Sequence, residues 1–171
     1  LAVEAGTGVG KSFAYLVPLI LTAIARKIQV VVSTYTISLQ EQLILKDIPF
    51  LQQHMGRPFK AVLVKGRSNY LCLRRLARAR KMSRDLFPSE EENEIDRIRA
   101  WADGTADGSL QAMEVQPSHG AWSHVCCEHG NCLGRKCPEY KACFLMKARS
   151  QMRDAHLLVV NHHLLFSELA L

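Results

Sequence analysis

A chain of 171 residues, 48% apolar and 22% charged, holds enough material for one sizeable core, or a core with a small appended unit. That balance excludes a chain disordered throughout. The uncharged, mostly apolar run Phe13–Ala25 falls short of the roughly 20 residues that span a bilayer, and only Arg26 and Lys27 follow it where a cleavage site would stand, so the expectation is a buried helix in a cytoplasmic protein with no membrane partner.

In chain order, Leu1–Glu4 reads as a strand running into a Gly-rich turn over Ala5–Gly10, with a helix from about Lys11. Pro18 removes a backbone donor and crowds the carbonyl of Ala14, which predicts a kinked or shortened helix. Val30–Val32 is β-branched throughout and suits a strand buried on both faces. Ser38 and Glu41 match a capping box, predicting a helix from Leu39 towards Ile48, and Ala61–Val64 is the next strand. This alternation belongs to a parallel α/β sheet.

The rhythm then breaks. Leu71–Met82 reads as a basic helix with Arg74, Arg78 and Lys81 on one face, and Ser89 with Glu92 opens another that places Ile95, Ile98 and Ala102 at core spacing. Asp103-Gly104 and Asp107-Gly108 mark a loop. His119 to Cys143 is rich in Cys, His and Gly with little periodicity, after which a helix near Phe144–Arg153 and a strand at Leu157–Val160 resume the pattern. The division expected is 1–67 as the nucleotide-binding portion, 68–155 as an inserted subdomain and 156–171 as a return strand. Leu1 is not a methionine and Leu169–Leu171 end without a cap, so both ends read as cuts through a longer protein.

Charge is segregated. From Ile48 to Arg84 there are bases and no acids, while from Asp85 to Asp96 there are acids and no bases. A polyanion would be drawn to the first stretch, and Arg74 and Arg78 are the candidate contacts; a solvated helix face beside an acidic neighbour accounts for the same run.

Ala5-Gly6-Thr7-Gly8-Val9-Gly10-Lys11-Ser12 fits the phosphate-loop pattern, with Ala in place of the first Gly. Glycines let successive N–H groups turn inward around phosphate oxygens, and the following helix presents its positive end. Lys11 would neutralise the β- and γ-phosphates of ATP, and Ser12 would offer its hydroxyl to Mg²⁺.

Of six cysteines, Cys132, Cys137 and Cys143 form a compact loop group, with Cys72, Cys126 and Cys127 elsewhere. A phosphate-loop protein works in a reducing compartment, which argues against disulfides. Three close thiols and a remote one suffice for an Fe–S cluster; zinc on those three plus His129 or Cys127 is the rival. His162 and His163 are adjacent on a strand and face opposite ways, so a packing or hydrogen-bonding role is expected of them rather than a shared metal.

Five blocks together resemble the superfamily 2 DNA helicases of the DinG/XPD type, and most closely the DinG branch. Glu4–Ser12 is similar to that family's first motif, and Val31–Gln40 to its motif Ia. Lys65–Cys72 is similar to the stretch with the first cluster cysteine, Cys132, Cys137 and Cys143 have the spacing of the other three, and Val159–Leu165 is similar to the strand before its acidic box. The resemblance implies a partial RecA-like P-loop sheet with an inserted, mostly helical and loop-rich Fe–S subdomain. It also implies an ATP-driven motor moving 5′ to 3′ on single-stranded or forked DNA in repair or replication, as a monomer. By the same resemblance Cys72, Cys132, Cys137 and Cys143 would hold a [4Fe–4S] cluster, and Gly8, Gly10, Lys11 and Ser12 would contact nucleotide. Thr34 and Thr36 would contact the DNA backbone. The family's acidic box and second motor domain are missing from these residues, so this chain alone is expected not to turn ATP over. The other reading kept open is a zinc-stabilised nucleic-acid-binding module with a regulatory nucleotide loop; a third is an Fe–S sensor without motor activity.

Overall fold

The computed structural model describes Glu4, residues 10–86 and residues 89–169. The expected first strand, save Glu4, and the loop residues Ala5, Gly6, Thr7, Gly8 and Val9 lie outside the described residues. The chain divides into two compact units, one made of Leu1–Lys65 with Gln151–Leu171, the other of Gly66–Ser150.

In the first unit, β1 (Val30–Thr34), β2 (Ala61–Leu63) and β3 (Leu157–Asn161) form a parallel sheet in the order β1-β3-β2. Leu157 stands opposite both Val30 and Ala61, so the last strand in sequence is the centre of the sheet. Helix α1 (Lys11–Arg26) precedes β1, and α2 (Ile37–Gln42) and α3 (Ile48–His54) lie on the connection from β1 to β2. Leu16 and Ile20 of α1 pack with Val32, Leu43, Ile48, Leu51, Leu157 and Val159 in one apolar cluster.

Three local expectations are corrected. Helix α1 runs unbroken through Pro18, with the Thr22 hydroxyl donating to the Pro18 carbonyl at 2.7 Å. An interior proline costs about 3 kcal/mol, and the helix is retained because Leu16, Ile20 and Ala23 are fully buried. The cap of α2 is Thr36, not Ser38: its Oγ1 accepts from the Leu39 N–H at 3.2 Å and the helix begins at Ile37. Helical backbone then continues to His54 through a widened π turn, Leu43–Asp47, which ends one residue short of Pro49, whose ring would crowd the carbonyl four residues back in a regular helix. Val31 is 47% exposed, so β1 is buried on one face only among the described residues.

The second unit has its own core. Here α4 (Leu73–Leu86), α5 (Ser89–Ala102), α6 (His119–Val125) and the start of α7 (Phe144–Arg153) gather Leu76, Ile95, Ile98, Trp122, Val125 and Phe144 around Tyr70 and Leu71. The short segment before α4 is clamped from both sides by antiparallel bridges, Tyr70 to Ser109 and Leu71 to Cys126. Burial, with the Asp107 carboxylate adding to it, pushes the Tyr70 phenol up to about 12. Gly108 takes a left-handed φ of 61°, and a Cβ there would lie 2.1 Å from the Phe144 ring.

Leu157→Ala, which empties the centre of the sheet, is expected to cost about 2–5 kcal/mol in urea denaturation. Gly108→Ala meets the Phe144 ring and a strained, left-handed φ together. A loss on the order of 1–3 kcal/mol is expected, read as a lower unfolding midpoint at unchanged m-value.

Candidate functional site

At the nucleotide loop the described part is its end. Gly10 adopts φ 75°, ψ 25°, a left-handed conformation that only glycine enters freely, and its carbonyl accepts from the Ala14 N–H at 3.1 Å. Helix α1 therefore starts at Lys11 and directs its N-terminal amides back towards the loop side. Ser12 hydrogen-bonds Tyr15, which partly offsets the rise in phenol pKa that burial causes and that the carboxylate of Asp47 adds to. That carboxylate, almost fully buried, accepts from the Gln42 amide at 3.3 Å.

The two threonines expected to contact DNA are placed differently from each other. Thr34 is 2% exposed and its hydroxyl has no hydrogen-bond partner among the described residues. In this conformation it offers nothing to a ligand outside the sheet. Thr36 is exposed, but its hydroxyl is taken up in capping α2. His162 sits at the sheet end as the first residue of α8 (His162–Leu169), with Nδ1 2.6 Å from the Ser33 hydroxyl and its ring against Tyr35 and Phe166.

The second unit brings the cysteines together. Cys72, Cys127, Cys132, Cys137 and Cys143 all line one small pocket. Three separate stretches of chain supply them. Cys72 directly precedes α4 and its carbonyl accepts from the Leu76 N–H at 2.9 Å, while Cys143 directly precedes α7 and its carbonyl accepts from Lys147 at 3.0 Å. Both are thus cap positions, with free amides of the first helical turn around the sulfur. Cys132 and Cys137 lie on the connecting loop, which is held by local turns such as Cys137 N–H to Gly134 carbonyl at 3.1 Å. No histidine lines the pocket, so His129 is not among its donors. Among the described residues no three His, Cys, Asp or Glu side chains converge closely enough to hold a single metal ion.

The thiols differ in character. Cys72 is lowered to about 6, first by a hydrogen bond with the Cys127 thiol and further by the backbone amides and charge of the residues that open α4. Cys143 is raised by burial, against the lowering pull of the Met146 and Leu145 amides. Cys127 is raised by its hydrogen bond with Cys72 and by burial. Cys126 is raised by burial and stands outside the pocket, its Sγ 3.8 Å from the Ser123 carbonyl.

Two arginines serve this architecture. Arg74 donates to the carbonyl of Asn131, next to Cys132. Arg75 donates to the carbonyls of Ser123 and His124 at 2.7 and 3.1 Å and pairs with Glu128. Glu128 also accepts from the Asn131 amide at 2.6 Å, and these two partners, Asn131 first, hold its carboxyl below the usual range. Arg74 is therefore committed to the cysteine loop, while Arg78 one turn later is exposed. The basic run of the sequence thus includes side chains engaged within their own unit, which its spacing does not reveal. Spacing also leaves Cys127 unplaced. The signal lies in the Leu71 to Cys126 pairing: side chains alternate along an extended segment, so the neighbours Cys72 and Cys127 project to one common side.

No protein-family model matches the chain. It is 41% identical over 170 residues to the ATP-dependent DNA helicase YoaA of Escherichia coli, covering 99% of this chain and 26% of that protein. It is 38% identical over 182 residues to the ATP-dependent helicase DinG of Mycobacterium tuberculosis, covering 96% of this chain and 27% of the relative. The DinG helicase of Photobacterium profundum is 31% identical over 177 residues. The chain thus spans about a quarter of the length of the curated relatives it matches.

Proposed function

This chain is homologous along its length to a segment of the DinG-type ATP-dependent helicases, and on that premise we propose that it is the nucleotide-binding, cluster-bearing portion of an ATP-driven DNA helicase. The first unit is the partial RecA-like portion that takes ATP and Mg²⁺. Gly10 and the start of α1 form the anion-holding end of the loop, Lys11 neutralises the terminal phosphates, and Ser12 turns its hydroxyl from Tyr15 to Mg²⁺. The inserted subdomain carries the metal centre, and Arg78 on α4 meets the phosphates of single-stranded or forked DNA.

The observation that carries this reading is the gathering of Cys72, Cys132, Cys137 and Cys143 on one pocket from positions up to 71 residues apart in sequence. An all-sulfur donor set with helix N-terminal amides beside two of the sulfurs suits an anionic [4Fe–4S] cluster, which those four thiolates would hold. When bound, the cluster supplies a rigid cross-link and a redox-active group. What the chain contributes is orientation: α4 and α7 fix two thiols, and Arg74 fixes the loop that carries the others.

Protein purified without oxygen is expected to be brown and to contain iron and acid-labile sulfide in equal amounts, with loss of iron in Cys132→Ser, Cys137→Ser and Cys143→Ser. A colourless, zinc-containing protein would replace this reading with the zinc-stabilised module. For DNA, affinity is expected to fall steeply with salt. Arg78→Glu should flatten the slope of log affinity against log salt, by about one for each phosphate no longer neutralised, and an unchanged slope returns Arg78 to a solvated face.

A further inference from the structure

Arg75 stands on the first turn of α4, three residues after Cys72, and only 17% of its side chain is exposed. Its three nitrogens reach three separate groups. Nε donates to the His124 carbonyl at 3.1 Å, Nη2 donates to the Ser123 carbonyl at 2.7 Å, and Nη1 forms an ion pair with the Glu128 carboxylate. The two carbonyls belong to the last turn of α6, where a helix has no donors of its own to offer them. Glu128 in turn accepts from the Asn131 side-chain amide at 2.6 Å, and the Asn131 carbonyl accepts from Arg74. Cys132 is the next residue. A line of contacts therefore runs from the helix that Cys72 opens, through Glu128 and Asn131, to a second thiol of the same pocket.

We propose that Arg75 is a positioning residue of the thiol pocket: by capping α6 and gripping Glu128, it sets the path on which Cys132 reaches Cys72. This rests on the reading that Cys72 and Cys132 are cluster ligands. Between Glu128 and Cys132 no side chain is buried, so polar contacts and not apolar packing decide where this stretch lies. A guanidinium is a planar fork of fixed geometry and can serve two carbonyls and a carboxylate at once. A lysine carries the same charge at a single point and cannot hold all three. The Glu128 side chain is 42% exposed, and an ion pair to so open a partner adds little to the stability of a fold. The effect of the Arg75 to Glu128 contact therefore falls on the direction of the loop, and through it on the grip of the pocket.

The test loads the full chain with ferrous iron and sulfide in the absence of oxygen, then follows iron release to an excess of ferrous chelator. Helix content is checked by circular dichroism. Arg75→Gln and Arg75→Lys are expected to release iron roughly 10–100-fold faster than the wild type, the range over which outer partners of metal ligands act. Glu128→Gln should move the rate the same way by less, and Lys81→Gln, which removes an exposed charge from the same helix, should leave it unchanged. Because both residues act on one path, the double variant Arg75→Gln with Glu128→Gln should fall short of the product of the two single effects. Wild-type release from a folded Arg75→Gln chain overturns the proposal. Wild-type release from Arg75→Lys does so too, because charge alone would then suffice, and so does a double variant that multiplies the single effects. If Arg75→Gln does not fold, Glu128→Gln decides: faster release supports the path, and an unchanged rate overturns it. Iron and sulfide absent from the wild type would remove the cluster reading itself, and this proposal with it.

Discussion

Everything placed around the cysteine pocket depends on a three-residue clamp. Tyr70, Leu71 and Cys72 are held by backbone hydrogen bonds to Gly108 on one side and to Val125 and Cys127 on the other. These bonds tie together stretches of chain more than 35 and more than 50 residues apart. Closing such loops costs entropy that grows only slowly with length, and burial of Leu71, Val125 and Trp122 in the same place offsets it. Once the clamp is made, a remote thiol lies beside the loop that carries the other three, and α4 leaves in the direction that sets its first amides at that thiol.

Much of this is legible in the residues. The helix at Phe144–Arg153 and the strand from Leu157 are readable because amphipathic and β-branched patterns are strong over such lengths. Ile95 and Ile98 belong to a core, as their spacing implies. The cap of α2 is misleading because Ser38 and Glu41 fit a pattern that says nothing of where the chain leaves β1. With β1 ending at Thr34, only Thr36 stands at the turn into the helix. Pro18 misleads because a local rule omits the burial on the opposite side of α1.

The site is less legible than the fold, for a physical reason. A charge run records which side chains are cationic and not which carbonyls lie within their reach, so Arg74 and Arg78 look alike. A Cys-Cys pair records two thiols and not their sides; pairing between distant segments brings Cys127, and not Cys126, to the pocket. That the Thr34 hydroxyl is buried without a partner among the described residues is equally invisible in sequence.

The loop that runs up to Cys143 is built unlike the rest of its unit. No residue from Glu128 to Cys143 is buried, and its backbone bonds are mostly single turns. A segment of that kind opens at little free energy by itself. If the thiols hold the proposed centre, its loss would register first as rapid amide exchange and proteolytic nicking within this stretch, before the helices behind it gave way.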